Sequence, residues 1–160
     1  MSISASVLPV SNSANQGTLL DRLGPRMEKV EAQLQQLVEM GDLRIDPATS
    51  HLALAGGKRL RPALVLLTAE LGPEPEAQAV FDSAVAVELT HLASLYHDDV
   101  MDEASMRRGV ESANSRWDNS TAILAGDFLF AHASMLLADL GPAAVQLIAQ
   151  TFAELVTGQM

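Results

Sequence analysis

Apolar residues recur at steps of three and four along most of the chain after residue 18, which is the spacing of an α-helix with one buried face. In the first such segment, Leu23, Met27, Val30 and Leu34 follow this step. No segment shows the apolar–polar alternation that is typical of a half-buried β-strand. The pattern therefore predicts an all-α fold, with helices over residues 19–40, 48–54, 62–71, 76–101, 121–140 and 143–160.

Capping and breaking residues predict where several of these helices begin. Pro25 is suited to the first turn of the regular part of the first helix, and Asp46 is suited to the N-cap of the second. Asn119 or Ser120 is a candidate N-cap for the helix that starts at residue 121. Residues 103–118 show no helical spacing, so we expect a loop there.

The two ends of the chain differ in character. Residues 1–18 are rich in Ser, Ala and Asn and lack periodicity, so we expect a flexible N-terminal arm. Residues 19–160 are long enough for one helical domain with a sizeable core. The last predicted helix still carries Leu155 and Val156 and shows no capping sequence before Met160. We therefore expect the chain to be a fragment of a longer protein.

No transmembrane segment is predicted, because the most apolar stretch, residues 123–137, is interrupted by Asp127 and His132. The N-terminus lacks the basic start and the apolar core of a signal peptide. The absence of cysteine fits a reducing compartment. These features together favour a cytoplasmic protein.

The distribution of charge indicates more about the possible ligands than the composition does. Hydrophobic residues make up 48% of the chain and aromatic residues only 4%, which favours packed helices. The net charge is −10, which argues against a nucleic-acid-binding surface. Half of the ten Lys and Arg residues nevertheless fall in two short clusters, which suggests that they bind an anion locally. These residues are Lys58, Arg59, Arg61, Arg107 and Arg108.

Three aspartates follow the pattern D-D-x-x-D at Asp98, Asp99 and Asp102, at the end of the longest predicted helix. Asp98 and Asp102 are four residues apart, so their like charges lie close together on one helical face and oppose helix formation. A hard cation such as Mg²⁺ removes this penalty, since it takes carboxylate oxygens together with substrate phosphates. A solvated acidic helix end is the alternative. The same face carries Glu88, His91 and Leu95.

The segment GGKRLRP, residues 56–62, is the second informative stretch. Its two glycines allow a tight turn, and Lys58 and Arg61 follow at the start of a predicted helix. Helix N-termini favour anions, and the arginine fork matches phosphate oxygens. This arrangement predicts a phosphate or diphosphate site. The alternative is a glycine that ends one helix and is followed by exposed basic residues.

Three segments together resemble the trans-isoprenyl diphosphate synthases, or polyprenyl synthetases. They are GGKRLRP at 56–62, ELTHLASLYHDDVMDEASMRRG at 88–109 and AGDFLFAHAS at 125–134. The likeness extends over residues 19–160 and corresponds to the N-terminal half of such an enzyme. It implies the helical bundle of the isoprenoid synthases, a homodimer, and a Mg²⁺-dependent prenyltransferase that condenses isopentenyl diphosphate with an allylic diphosphate to make a polyprenyl diphosphate.

The resemblance also implies roles for individual residues. Asp98 and Asp102, with Asp99 near them, would hold Mg²⁺ ions that bridge the allylic diphosphate, and Arg107 would contact the same diphosphate. Four further residues would hold the diphosphate of isopentenyl diphosphate: Lys58, Arg61, His91 and Arg108.

Product length follows in this family from the residues four and five positions before the first aspartate. Here they are Ser94 and Ala93, both small, so the resemblance implies a product beyond the fifteen- or twenty-carbon class. Asp127 is interpreted as structural, bonding to polar groups near the acidic site. His97 is given no role.

The chain departs from the family pattern because no second aspartate-rich motif follows Asp102, so we expect the chain alone to be inactive. Two other functions remain as alternatives. A metal-dependent phosphohydrolase of the HD type could use His51, the pair His97-Asp98 and Asp127. The chain could also be a non-catalytic subunit of a heteromeric prenyl synthase.

Overall fold

A computed structural model describes residues 19–39 and 44–160 of the chain. The flexible arm predicted for residues 1–18 lies outside these residues. The described residues form eight α-helices and one antiparallel hairpin, so the all-α prediction is confirmed. The helices are α1 Leu19–Val38, α2 Asp46–Thr49, α3 His51–Leu54, α4 Leu60–Ala69, α5 Gln78–Met101, α6 Ala113–Arg116, α7 Asn119–Leu140 and α8 Pro142–Gln159, and the strands are β1 Met106–Arg107 and β2 Val110–Glu111.

Helix α5 lies at the centre of the bundle and contacts α1, α4, α6 and α7. Its apolar residues Phe81, Leu89 and Leu92 are almost fully buried, as expected for a helix that is covered on most sides. Helix α7 packs closely against it at Gly126. A Cβ atom at Gly126 would lie 2.6 Å from Cδ2 of His97, so the two helices can approach this closely because residue 126 is a glycine, which has no side chain.

Tyr96 connects α5 to the short helices that precede the glycine pair. Its side chain is fully buried, and its hydroxyl donates to the carbonyl of Ala48 and accepts from the N–H of Leu52 at 3.1 Å. Burial raises the pKa of Tyr96 to about 12, so the hydroxyl remains protonated and keeps its donor. The C-terminal half of α5 is therefore held against α2 and α3.

Replacing Tyr96 with phenylalanine is expected to lower the free energy of unfolding by about 2 kcal/mol, since the buried N–H of Leu52 and the buried carbonyl of Ala48 each lose a hydrogen bond. For a domain of this size, the melting temperature should fall by roughly 4–8 °C in a calorimetric scan. The control is Thr68→Val, which removes an exposed hydroxyl bonded only within its own helix. Equal melting temperatures for Y96F and the wild type would show that the hydroxyl does not stabilise the fold.

Two predicted N-caps and the place of one proline differ from the structure. Helix α1 begins at Leu19 as predicted, and Pro25 lies inside it rather than in a first turn. The N-cap of α2 is Ile45, because Asp46 already has helical geometry and Pro47 follows it in the first turn. The N-cap of α7 is Asp118, whose carboxylate accepts the N–H of Thr121 at 2.7 Å. The side chain that caps α7 therefore lies one residue before the predicted candidates.

The segment predicted as a loop, residues 103–118, contains the hairpin and α6. Arg107 pairs with Val110, so only Arg108 and Gly109 form the turn. Both have positive φ, 52° and 81°, which is the signature of a type I′ turn. The prediction failed here because the strands are two residues long and the turn does not use the Asn-Gly or Asp-Gly pair that usually marks it.

Among residues 19–39 and 44–160, α7 alone is long and apolar enough to cross a membrane by length and composition. A core helix can share both properties. In this fold α7 packs against α2, α5, α6 and α8, and its residues Leu129, Ala133 and Leu137 are buried.

Candidate active site

The C-terminal half of α5 faces a cavity of about 240 Å³ between α4, α5 and α8. Arg61 enters the lining from the first turn of α4, while His91 and Asp98 enter from α5. Residues that were predicted from two separate motifs are thus brought together in one cavity. The wall on the side of α8 is formed by Ile148, Thr151, Phe152 and Leu155.

The two outer aspartates of the D-D-x-x-D pattern reach the surface, since Asp98 is half-buried and Asp102 is exposed. Burial, followed by the charge of Asp102, raises the pKa of Asp98 above its ordinary value. The ion pairs formed within the described part of the chain include none to either carboxylate. Asp98 lines the cavity, and Asp102 lies one helical turn further along the chain. Two repelling carboxylates at this spacing are a suitable donor set for a hard cation.

The described residues contain no group of three or more His, Cys, Asp and Glu side chains arranged to hold a metal ion. A cation at Asp98 and Asp102 would therefore lack a third His, Cys, Asp or Glu ligand from these residues. Mg²⁺ suits this situation, because it commonly binds through one or two carboxylates and completes its shell with water and substrate phosphates.

Asp99 points away from the other two aspartates. Its side chain is fully buried, and Arg107 donates to Oδ1 from Nε at 2.7 Å. This hydrogen bond is the main cause that raises the pKa of Arg107 above its ordinary value. Asn114 donates to the backbone carbonyl of Asp99 at 3.2 Å. The middle aspartate of the motif therefore ties the hairpin and α6 to α5, and Arg107 is held in that pair.

Lys58 and Arg61 are both exposed, but only Arg61 belongs to the lining of the cavity. Between them Arg59 turns inward. Its Nη1 donates to Glu88 at 2.8 Å, its Nη2 donates to the carbonyl of Ala53 at 2.9 Å, and it also pairs with Glu31. Burial alone would lower the pKa of Arg59, but these two carboxylates raise it.

Arg108 approaches the same buried carboxylate from the hairpin. Its Nη2 lies 3.7 Å from Oε1 of Glu88, and its Nη1 donates to the carbonyls of Leu52, at 3.0 Å, and Gly56. Burial lowers the pKa of Arg108, and the positive charge of Arg59 adds to this effect. The roles of Arg59 and Glu88 were missed from sequence. The available signal was the place of Glu88 on the polar face that also carries His91.

His91 lies in a strongly positive environment. Burial, and then the charges of Arg61, Arg108, Arg107 and Arg59, lower its pKa to about 4. The imidazole is therefore neutral near pH 7. Since four cations act on this position, it is also a place where an anion would be stabilised.

The two small residues before the aspartates lie in different surroundings. Ser94 lines the 240 Å³ cavity and also a neighbouring cavity of about 520 Å³, which continues along α8 and is mostly apolar. Ala93 is fully buried in the core. Of the two predicted gate positions, Ser94 is thus the one that borders open space.

Near the same cavities, Nε2 of His97 lies 3.3 Å from the carboxylate of Asp127 and 3.3 Å from the carbonyl of Ile123. The suggested contact of Asp127 with a polar group near the acidic site is present. His51 does not join this pair, because its Nε2 lies 2.6 Å from the carbonyl of Glu111 and its ring packs against Trp117. The described residues thus do not assemble the ligand set of the HD alternative.

Known prenyl diphosphate synthases are similar to this chain in sequence and in fold. The chain is 53% identical over 132 residues to the nonaprenyl diphosphate synthase of Mycobacterium tuberculosis, covering 82% of this chain and 39% of the relative. It is 40% identical over 139 residues to heptaprenyl diphosphate synthase component 2 of Geobacillus stearothermophilus, covering 86% and 43% respectively.

A similar solved structure is the geranylgeranyl pyrophosphate synthase of Corynebacterium glutamicum, complexed with calcium and isoprenyl diphosphate. It is 50% identical, with a TM-score of 0.79, and the match covers 91% of this chain and 44% of that one. The chain thus spans about two fifths of the length of the relatives it matches. The model of the family described as polyprenyl synthetase matches residues 43–160, and the chain belongs to this family.

Proposed function

We propose that the chain supplies one part of the active site of a prenyltransferase that condenses isopentenyl diphosphate with an allylic diphosphate. The observation that carries this proposal is the meeting of Arg61, His91 and Asp98 in one cavity. The cavity thus carries Arg61, which can bind a diphosphate, and the carboxylate of Asp98, which can bind a metal ion. An apolar wall from α8 adjoins both and offers a surface for a hydrocarbon tail.

In the proposed reaction, the bond between C1 and oxygen of the allylic diphosphate breaks, and its electron pair leaves with the diphosphate. The double bond of isopentenyl diphosphate then attacks C1, and loss of a proton restores an alkene. Asp98 and Asp102 would hold Mg²⁺, which when bound neutralises the charge that develops on the leaving diphosphate. The calcium in the Corynebacterium glutamicum structure supports a divalent cation in this role.

The basic residues have the complementary task of binding and orientation. We propose that Lys58, Arg61, His91 and Arg108 hold the diphosphate of isopentenyl diphosphate, while Arg107 contacts the allylic one. Arg61 is accessible in the cavity and can offer its planar fork to phosphate oxygens. His91 is neutral, so it would contribute a single N–H donor rather than a further cation.

The test is a chimera in which residues 1–160 are joined to the C-terminal remainder of the Corynebacterium glutamicum synthase. Incorporation of labelled isopentenyl diphosphate into an extractable prenyl product should require both an allylic primer and Mg²⁺, and chelation with EDTA should stop it. The control is the intact Corynebacterium glutamicum synthase. A folded chimera that incorporates no label, under conditions where the control is active, would contradict the proposed function.

Product length gives a separate prediction for this chimera. Replacing Ser94 with phenylalanine should shift the products toward shorter chains, because a larger side chain would take up space at the position where Ser94 lines the two cavities. Chromatography of the dephosphorylated products measures the shift. The matched control is Ser83→Phe, on the same helix and outside the linings of these cavities. An unchanged product distribution in S94F would remove Ser94 from the proposed gate, which also includes Ala93.

We further propose that the protein acts in the cytoplasm as a homodimer. A subunit of a heteromeric synthase is the second candidate, favoured by the likeness to heptaprenyl diphosphate synthase component 2 of Geobacillus stearothermophilus. The two proposals differ in what they require. A homodimeric chimera should be active without another protein, whereas a heteromeric component should gain activity only when its partner is added.

A further inference from the structure

Glu88 carries a carboxylate that is almost fully buried, with 2% of the residue exposed. A buried charge is strongly unfavourable unless it is paired and hydrogen-bonded. Here the two partners come from separate segments: Arg59 from the loop before α4, at 2.8 Å, and Arg108 from the hairpin turn, at 3.7 Å. We call these three residues the Glu88 cluster. It joins both basic motifs to the polar face of α5.

The backbone at both arginines is in an unfavourable conformation. Arg59 has φ of 46° and Arg108 has φ of 52°, values in the left-handed region that residues with a Cβ atom rarely adopt. Such a conformation persists only where surrounding contacts hold it. At Arg108 the two-residue hairpin turn itself requires positive φ. At Arg59 the contacts of the guanidinium with Glu88, Glu31 and the carbonyl of Ala53 are placed to hold the backbone.

The glycine pair fits the same arrangement. A Cβ atom at Gly57 would lie 3.0 Å from the Cζ atom of Arg108, so the guanidinium rests against the loop backbone. The same guanidinium donates to the carbonyls of Leu52 and Gly56, which precede the basic residues. The loop is thus held from two sides, by Arg59 within it and by Arg108 across it.

We propose that Glu88 is a positioning residue: through Arg59 and Arg108 it fixes the loop of residues 56–59, and so holds Lys58 and Arg61 in place to bind a diphosphate. The identity of the ligand rests on the proposed function, whereas the ordering of the loop does not. A competing account makes Glu88 an internal anion that merely occupies Arg108. Removing its charge would then free a guanidinium and tighten the binding of a diphosphate.

Two measurements on the 160-residue chain separate these accounts. Titration calorimetry gives the affinity for inorganic pyrophosphate without divalent metal, and hydrogen exchange by mass spectrometry gives the protection of residues 56–61. In Glu88→Gln we expect the affinity to fall about tenfold, since hydrogen bonds to a charged group are lost. Exchange in the loop should rise by a similar factor.

The matched control is Glu70→Gln. Glu70 is also held by two arginines, Arg22 at 2.9 Å and Arg26, but it lies at the other end of α4. This variant should lose stability without a change in pyrophosphate affinity beyond about twofold, a factor that corresponds to only about 0.4 kcal/mol. It therefore distinguishes positioning of the loop from a general loss of stability.

Pyrophosphate affinity that is equal or higher in E88Q would overturn the proposal, and so would unchanged exchange in the loop. If the wild-type chain binds no pyrophosphate, that result counts against the proposed function, and the exchange data alone decide on the Glu88 cluster. If E88Q does not fold, Arg59→Lys takes its place. It keeps the positive charge but loses the fork that reaches Glu31, Glu88 and Ala53 together, and its results are judged by the same criteria.

Discussion

Replacing Asp98 with asparagine is expected to lower the rate of condensation by the chimera about a thousandfold. The amide keeps the shape of the side chain but removes the charge that would hold Mg²⁺ at the cavity mouth. Metal ions contribute several kcal/mol to the stabilisation of developing charge, and each ~1.4 kcal/mol corresponds to a factor of ten in rate. Initial rates with saturating substrates and Mg²⁺ measure the effect, and Asp102→Asn should behave similarly.

Two other aspartates serve as controls for this experiment. Asp127→Asn makes the same change at an exposed residue that contacts His97 near the cavity, and its rate should stay close to that of the parent chimera. Asp99→Asn should lower the melting temperature, because Asp99 is buried against Arg107. The metal assignment fails if turnover is unchanged in both D98N and D102N.

The second large effect is expected at Arg61. Replacing it with glutamine should raise the KM for isopentenyl diphosphate roughly 10- to 100-fold, since a hydrogen bond to a charged group contributes about 1.5–3 kcal/mol. The KM for the allylic substrate should change little, because the proposed allylic contacts are made by Arg107 and the metal. Steady-state rates with one substrate varied at a time separate the two constants.

The control for this prediction is Arg116→Gln. Arg116 is an exposed arginine that lies over the ring of Trp117 and outside the cavity, so its loss should leave both constants unchanged. An effect of R61Q that is confined to the allylic substrate would reverse the assignment of the two diphosphates. Unchanged constants for both substrates would remove Arg61 from the site.

Much of the fold was predictable because the helices carry a clear apolar period. The long helix that ends at Met101 was predicted within two residues of its start, and its polar face correctly grouped His91 with Asp98. Helical spacing also explains why the side chain of Asp99 points away from those of Asp98 and Asp102. Consecutive residues on a helix differ by about 100° in direction, so Asp99 could not share the face of its neighbours.

Contacts between distant segments could not be predicted in the same way. Lys58 and Arg59 are adjacent basic residues in the sequence. Arg59 turns inward because it pairs with Glu88 on another helix, whereas Lys58 stays exposed. The wall that α8 contributes to the cavities depends on how that helix folds back onto α5 and α7. Periodicity predicts that α8 is a helix, but not which surface it covers.

The left-handed backbone at Arg59 has a consequence for the isolated motif. A synthetic peptide with the sequence GGKRLRP would sample many conformations and would rarely hold an arginine at φ of 46°. Such a peptide should therefore attract a diphosphate by charge alone, with an affinity that falls steeply as salt is added. The diphosphate binding proposed for this motif would depend on the folded helices around it, and grafting the motif onto another protein would require transferring the buried carboxylate of Glu88 as well.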